Sequence, residues 1–115
     1  MELTEIRDEA ALEAALTAPA FLLFKHSLVC PTSAAAFHEY RRFLAARDAT
    51  AAAVPTAWLD VRGSRSLSLA VEARTGVKHE SPQALYLREG EAVWHASHGS
   101  ITQRSLAEAL AAGAR

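Results

Sequence analysis

The junction LVCPTS, residues 28–33, constrains the fold more than any other part of the chain. Ahead of it, Ala20–Lys25 (AFLLFK) is an apolar run of strand length. Behind it, Phe37, Tyr40 and Leu44 recur on one helical stripe, with Glu39, Arg41 and Arg42 largely off it. Pro31 stands where a helix can begin, because the first backbone N–H groups of a helix have no internal partner and a missing one costs nothing. A strand thus hands over to an amphipathic helix running from Pro31 to about Arg47, and a second strand-like run follows at Val54–Val61 (VPTAWLDV). Strand, helix and strand in that order require a parallel pair with a crossover helix.

The flanking patterns complete the order. Leu12 and Leu16 lie four apart among the strong helix formers of residues 8–17, which predicts a helix before the first strand. Ser64 opens a helix through Leu67, Ala70, Val71 and Arg74 that Gly76 can close. Gln83–Arg88 and Glu91–His95 form two short strands joined at Glu89-Gly90 as a tight hairpin, and a last helix runs from about Thr102 to Ala112. No repeat, linker or low-complexity tail interrupts residues 1–115, and half of them are apolar, which suits one domain with a real core. The expectation is a single α/β domain of thioredoxin-like fold, with a central mixed sheet, helices on both faces, a C-terminal β-hairpin and a closing helix.

Charge and composition narrow the function. Twelve basic and thirteen acidic residues, spread along the chain, lack the electrostatic footprint of a nucleic-acid binder. The N-terminus is acidic at Glu2, Glu5, Asp8 and Glu9, where a signal peptide would be basic. The longest apolar run, APAFLLF, is about a third of the ~20 residues a membrane span needs. A single cysteine rules out an intrachain disulfide, and a free thiol survives best in a reducing compartment. These features together predict a soluble cytoplasmic protein, without nucleic-acid or membrane partners.

That cysteine, Cys30, sits at the strand–helix junction. As N-cap of the helix that Pro31 begins, its sulfur faces the free N–H groups near Thr32 and Ser33 and the positive end of the helix dipole, which favour thiolate over thiol; Lys25 or a protonated His26 can add to this. Ser33, three positions on, can donate its hydroxyl to a sulfur anion, so the pair is the redox C-x-x-C pattern with its second thiol replaced. For a thiol lowered from about 8.5 to about 6, the roughly tenfold gain in thiolate near neutral pH is offset by lost nucleophilicity at a Brønsted slope of about 0.45. The gain lies in the second step, since a low-pKa sulfur is a good leaving group. Such a thiol is suited to being both loaded and unloaded.

A second motif is HESPQALYL, residues 79–87, where Pro82 directly precedes an apolar strand. Pro82 either introduces an edge strand from an ordinary loop or sits in a cis Ser81-Pro82 bond, which would bring the Ser81 backbone beside the Cys30 loop, free to pair with a substrate. His79 either approaches the active-site loop through this turn or is a hydrogen-bonded structural histidine. Further on, HGSIT offers Gly99 and Ser100 as flexible donors beside His98, with Thr102 capping the last helix: either an ordinary capped helix or a seat for a carboxylate.

The stretches FKHSLVCPTS and VKHESPQALYLREGEAVWHASHGSIT, and the spacing between them, resemble the monothiol bacilliredoxins of the YtxJ type, and the likeness covers nearly the full length. The resemblance implies a thioredoxin fold and reduction of protein–bacillithiol mixed disulfides, with Cys30 as nucleophile and a second low-molecular-weight thiol resolving the intermediate. It implies bacillithiol as co-substrate, no tightly bound cofactor, bacillithiolated client proteins as partners, and a protein working as a monomer. Bacillithiol carries a malate, and in glutaredoxin-like proteins the loop matching His98–Ser100 holds the thiol's anionic end, with Lys25 or Lys78 contributing here. Val29 departs from the polar or basic residue members often carry beside the thiol.

Other chemistries fit less well. His26 and Cys30 are four apart and His95 and His98 three apart, but no second cysteine completes a zinc site, so no metal is expected. A thioredoxin-fold arsenate reductase needs an arginine where Ala34 stands, and a phosphatase loop needs one at Ala36. Trp58 and Trp94 suit a sheet face better than a stacking platform. The remaining alternative is a glutaredoxin-like protein that holds an iron–sulfur cluster or metal between two chains through Cys30. A brown dimer purified without oxygen would distinguish it from a colourless exchange enzyme.

Overall fold

Capping residues set the first boundaries. Asp8 accepts the Ala11 N–H at 2.8 Å and starts α1 (Glu9–Thr17); Asp48 does the same for Ala51 at 2.9 Å and starts a short α3 (Ala49–Ala52), which the sequence pattern did not reveal. The computed structural model describes residues 3–113. Between these helices run β1 (Ala20–His26) and α2 (Pro31–Ala46), and after them β2 (Thr56–Asp60), shorter at both ends than the predicted Val54–Val61. Then come α4 (Arg65–Thr75), β3 (Gln83–Arg88), β4 (Glu91–Ser97), a single 3₁₀ turn at His98–Ser100 and α5 (Gln103–Gly113).

The strands form one mixed sheet in the order β2-β1-β3-β4. β1 and β2 are parallel, with His26 beside Asp60, as the crossover helix α2 requires. β1 and β3 are antiparallel, with Lys25 beside Gln83, and β3 and β4 make the predicted hairpin. Its turn needs positive φ at both central residues, and Glu89 (53°) and Gly90 (80°) supply it. Gly90 is required twice over, because a Cβ there would lie 2.5 Å from the Leu16 carbonyl oxygen. Gly76 closes α4 in the left-handed conformation, its N–H donating to Glu72 O.

Period-two alternation divides the core between two layers. Leu22, Phe24, Ala84 and Tyr86 face α2 and α5, where Tyr40, Phe43, Leu106 and Leu110 meet them. Leu23, Leu59, Leu85 and Leu87 face α1 and α4, against Leu12, Leu16, Leu67 and Val71. Each of these buried leucines contributes about 2 kcal/mol over its exposed state. Tyr40 also ties α2 to β2, its hydroxyl donating to Ala57 O at 3.1 Å. No helix among the described residues is long and apolar enough to cross a membrane.

Candidate active site

Three loops leave one end of the sheet. The pairing of Lys25 with Gln83 sets the segment after His26 beside the segment ending at Pro82, and the pairing of Gln83 with Ser97 adds the 3₁₀ turn that follows β4. The His98 N–H donates to Pro82 O at 3.1 Å. His98, Gly99, Ile101 and Thr102 share with Thr32, Ala35, Ala36 and Glu39 a shallow cavity of about 180 Å³. The Ser81-Pro82 bond is cis, and Pro82 itself is buried. Thr32, His98 and Gly99 thus line one cavity, and Pro82 is bonded to the same turn, at the end of the sheet where the Cys30 loop follows β1.

Cys30 is the N-cap of α2, half-buried, with Pro31 opening the helix. Its backbone is held on both sides: its N–H donates to Ser27 O (3.4 Å) and its carbonyl accepts from Ala34 N (3.0 Å). The thiol pKa is lowered from the ordinary cysteine value, chiefly by the Ser33 backbone N–H; desolvation opposes this, and the Thr32 N–H and hydroxyl lower it further. Leu28 and Val29 just ahead of it are 63% and 66% exposed, so two apolar side chains face solvent in the loop that carries the cysteine.

Ser33 differs from expectation in which group it offers. Its side chain is fully buried, and its hydroxyl oxygen accepts the Ser27 N–H (2.9 Å) and lies 2.7 Å from Nδ1 of His26. Ser33 therefore acts on the sulfur through its backbone N–H, while its hydroxyl is committed beneath the loop. His26 is buried in the α2 layer, its ring stacked on Phe37 (centroids 4.2 Å apart, planes 13°) and edge-on to Trp58 at 5.7 Å. Burial lowers its pKa below the ordinary imidazole value despite the nearby Asp60.

Lys25 is also displaced from its expected role. Side chains alternate along β1, so Lys25 points into the opposite, α4 layer and is completely enclosed there. Its Nζ lies 3.1 Å from Nδ1 of His79, which is also 3.2 Å from Ser68 Oγ, and the His79 N–H donates to Glu72 Oε1 at 2.9 Å. Burial lowers the Lys25 pKa to about 8, with Glu72 pulling the other way. An enclosed ammonium is out of reach of an incoming thiol's carboxylate. His79 is thus a structural link between β1 and the loop before Pro82, the second of its two predicted roles. At the start of β3, Ser81 Oγ and Gln83 Oε1 are buried without a hydrogen-bond partner.

At the start of α5 the helix is capped, as one of the two readings of HGSIT has it. Thr102 and Ser105 cap each other, Ser105 N donating to Thr102 Oγ1 and Thr102 N to Ser105 Oγ, both at 3.0 Å. The Gln103 N–H already donates to a carboxylate, Glu39 Oε1, at 3.2 Å. Ser100 is exposed, and its carbonyl accepts from the Ser105 hydroxyl. Glu39, placed off the apolar stripe of α2 by its spacing, is in fact half-buried between α2 and α5. Its partner is 64 residues away, so no local signal marked it. Among the described residues, no three His, Cys, Asp or Glu side chains converge as metal ligands would.

Known structures share this architecture. One, described as a candidate oxidoreductase with a thioredoxin fold, is 34% identical at a TM-score of 0.81, covering 93% of this chain and 92% of its own. Trxlp from Edwardsiella tarda EIB202 is 17% identical at a TM-score of 0.69, over 93% of this chain and 97% of its own. The thioredoxin Mala s 13 of Malassezia sympodialis is 11% identical at 0.75, over 99% and 92% respectively. At such low identity the last two establish the thioredoxin fold alone. The family profile of the monothiol bacilliredoxin BrxC matches residues 1–106, a span holding both the Cys30 junction and the cis-proline loop. With its lone thiol at the start of α2 and a serine in place of a resolving cysteine, the chain belongs to the monothiol bacilliredoxin BrxC family.

Proposed function

We propose that the protein removes bacillithiol from protein mixed disulfides by thiol–disulfide exchange at Cys30. The observation carrying this reading is the sulfur at the N-cap of α2, half-exposed, with the Thr32 and Ser33 amides lowering its pKa. The Cys30 thiolate attacks the bacillithiol sulfur of a client–bacillithiol disulfide. The old S–S bond breaks, the client leaves as a thiolate and takes a proton from water, and Cys30 now carries bacillithiol. A second bacillithiol thiolate attacks the bacillithiol sulfur of that adduct and expels the Cys30 thiolate. In sum, a client–bacillithiol disulfide and one free bacillithiol give the client thiol and bacillithiol disulfide: one S–S bond is broken and one formed, and no outside oxidant or reductant is needed. The amides that lower the pKa of Cys30 stabilise it as the leaving group in the second exchange.

The cavity between Thr32 and His98–Thr102 is the place for the thiol's body, and the cis Ser81-Pro82 loop is the surface for a client backbone. Leu28 and Val29 suit apolar residues flanking a client cysteine. In this reading the protein works as a monomer in the reducing cytosol, and bacillithiol is a co-substrate rather than a resident cofactor.

Intact mass after exposure to the disulfides of bacillithiol, glutathione and coenzyme A tests the reading. The expected result is a single adduct on Cys30 that forms fastest with bacillithiol and is released by free bacillithiol. Equal loading by all three would remove the assigned thiol, and no adduct with any of them would remove exchange as the function.

A further inference from the structure

Ser33 occupies the place of a resolving cysteine, yet its hydroxyl is turned away from solvent and spent inside the protein. It has one hydrogen and two lone pairs. One lone pair takes the Ser27 N–H at 2.9 Å, and His26 Nδ1 stands 2.7 Å away on the other side. A neutral imidazole carrying its hydrogen on Nε2 accepts the Ser33 O–H, which gives Nδ1, the Ser33 hydroxyl and the Ser27 N–H a partner each. The ring has little freedom to leave, since Phe37 covers one face at 4.2 Å while Phe24 and Trp58 are edge-on to it at 5.9 and 5.7 Å. One hydroxyl thereby joins the end of β1, the Ser27–Cys30 loop and the first turn of α2.

We propose that His26 is a positioning residue for Cys30 that acts through the Ser33 hydroxyl: imidazole and Ser27 amide together fix the first turn of α2, keeping the Thr32 and Ser33 N–H groups aimed at the sulfur. The inference rests on Cys30 being the reacting thiol, but its test reads the sulfur's acidity without any mixed-disulfide substrate, so the two can fail separately. Burial favours the neutral form of His26, the state that accepts from Ser33. The Ser33 amide is also the largest influence lowering the Cys30 pKa, so a small rotation of this turn acts directly on the thiolate.

The measurement is the pH midpoint of thiolate ultraviolet absorbance in wild type, His26→Leu, His26→Asn, Ser33→Ala and the His26→Leu/Ser33→Ala double variant. His26→Leu and Ser33→Ala are each expected to raise the midpoint by about half a unit, roughly a threefold loss of thiolate below it. The double variant should move no further than the larger single one, since both break the same connection. Asparagine places an amide oxygen where Nδ1 stands and should restore much of the wild-type midpoint. An unmoved midpoint in Ser33→Ala, which removes only one oxygen, would overturn the proposal even if His26→Leu did not fold. Additive shifts in the double variant, or a loss of stability with no change in midpoint, would overturn it equally.

Discussion

Replacing Cys30 by serine is expected to leave mixed-disulfide reduction at its uncatalysed rate while the melting midpoint moves by only a few degrees. The two halves of this result have separate causes. Exchange needs a sulfur able to form and release a disulfide, and Cys30 is the only cysteine in the chain. Stability depends on other groups at this position: the backbone bonds of Cys30 to Ser27 and Ala34 are independent of the side chain. Serine is moreover a preferred N-cap, so the change in stability should stay within about 1 kcal/mol, of either sign. The assay is release of bacillithiol from a mixed-disulfide client alongside thermal denaturation. Wild-type turnover by the Cys30→Ser protein would refute the mechanism, and unfolding of the variant would show that the thiol is a core group.

The second large effect belongs to the enclosed lysine. Lys25 has a folded pKa of about 8 against an ordinary 10.5, so between those pH values the unfolded chain binds more protons than the folded one. Stability therefore rises with pH across this window, and below it the full cost of an enclosed ammonium is present, at most about 3 kcal/mol. Lys25→Met is expected to raise the melting midpoint near neutral pH by about 5 °C and to flatten the rise that wild type shows between pH 8 and 10.5. His79→Ala should act in the opposite direction, by about 1–3 kcal/mol, because it leaves the ammonium without its acceptor. Parallel stability curves for wild type and Lys25→Met across that window would show that Lys25 does not titrate there.

Elements with a strong local pattern were legible in the sequence. The stripe of Phe37, Tyr40 and Leu44, the Glu89-Gly90 turn and the Cys30-Pro31 helix start each carry their cause within a few residues, and each lies where that cause puts it. α3 has a cap at Asp48 but is too short to show a period. Within the site, Cys30 and Pro82 announced themselves by residue type. The roles of Lys25, His26 and Ser33 did not. Adjacent residues on a strand point into opposite layers, so Lys25 and His26 belong to different environments, and one is tied to His79 and the other to Ser33. Glu39 was read from its own helix alone, whereas its position is decided by α5 packing across it. Local chemistry predicts what a residue can do, and the partners supplied by distant segments decide which capacity is used.

The ring cluster around His26 gives the molecule an optical signal of its own. Excited indole is quenched by an adjacent imidazolium far more than by neutral imidazole, and Trp58 is edge-on to His26 at 5.7 Å. Trp94 lies on β4, at the opposite edge of the sheet from β2 and Trp58, and supplies a background. Emission from Trp58 should therefore fall as His26 takes up a proton, at a pH below the ordinary imidazole value because burial opposes the charge, and His26→Asn should abolish the step. A wild-type emission that stays level through this acid titration would mean that the two rings do not touch in solution. If the step is present, Trp58 reports, with no label attached, on the protonation of the imidazole that holds the Ser33 hydroxyl.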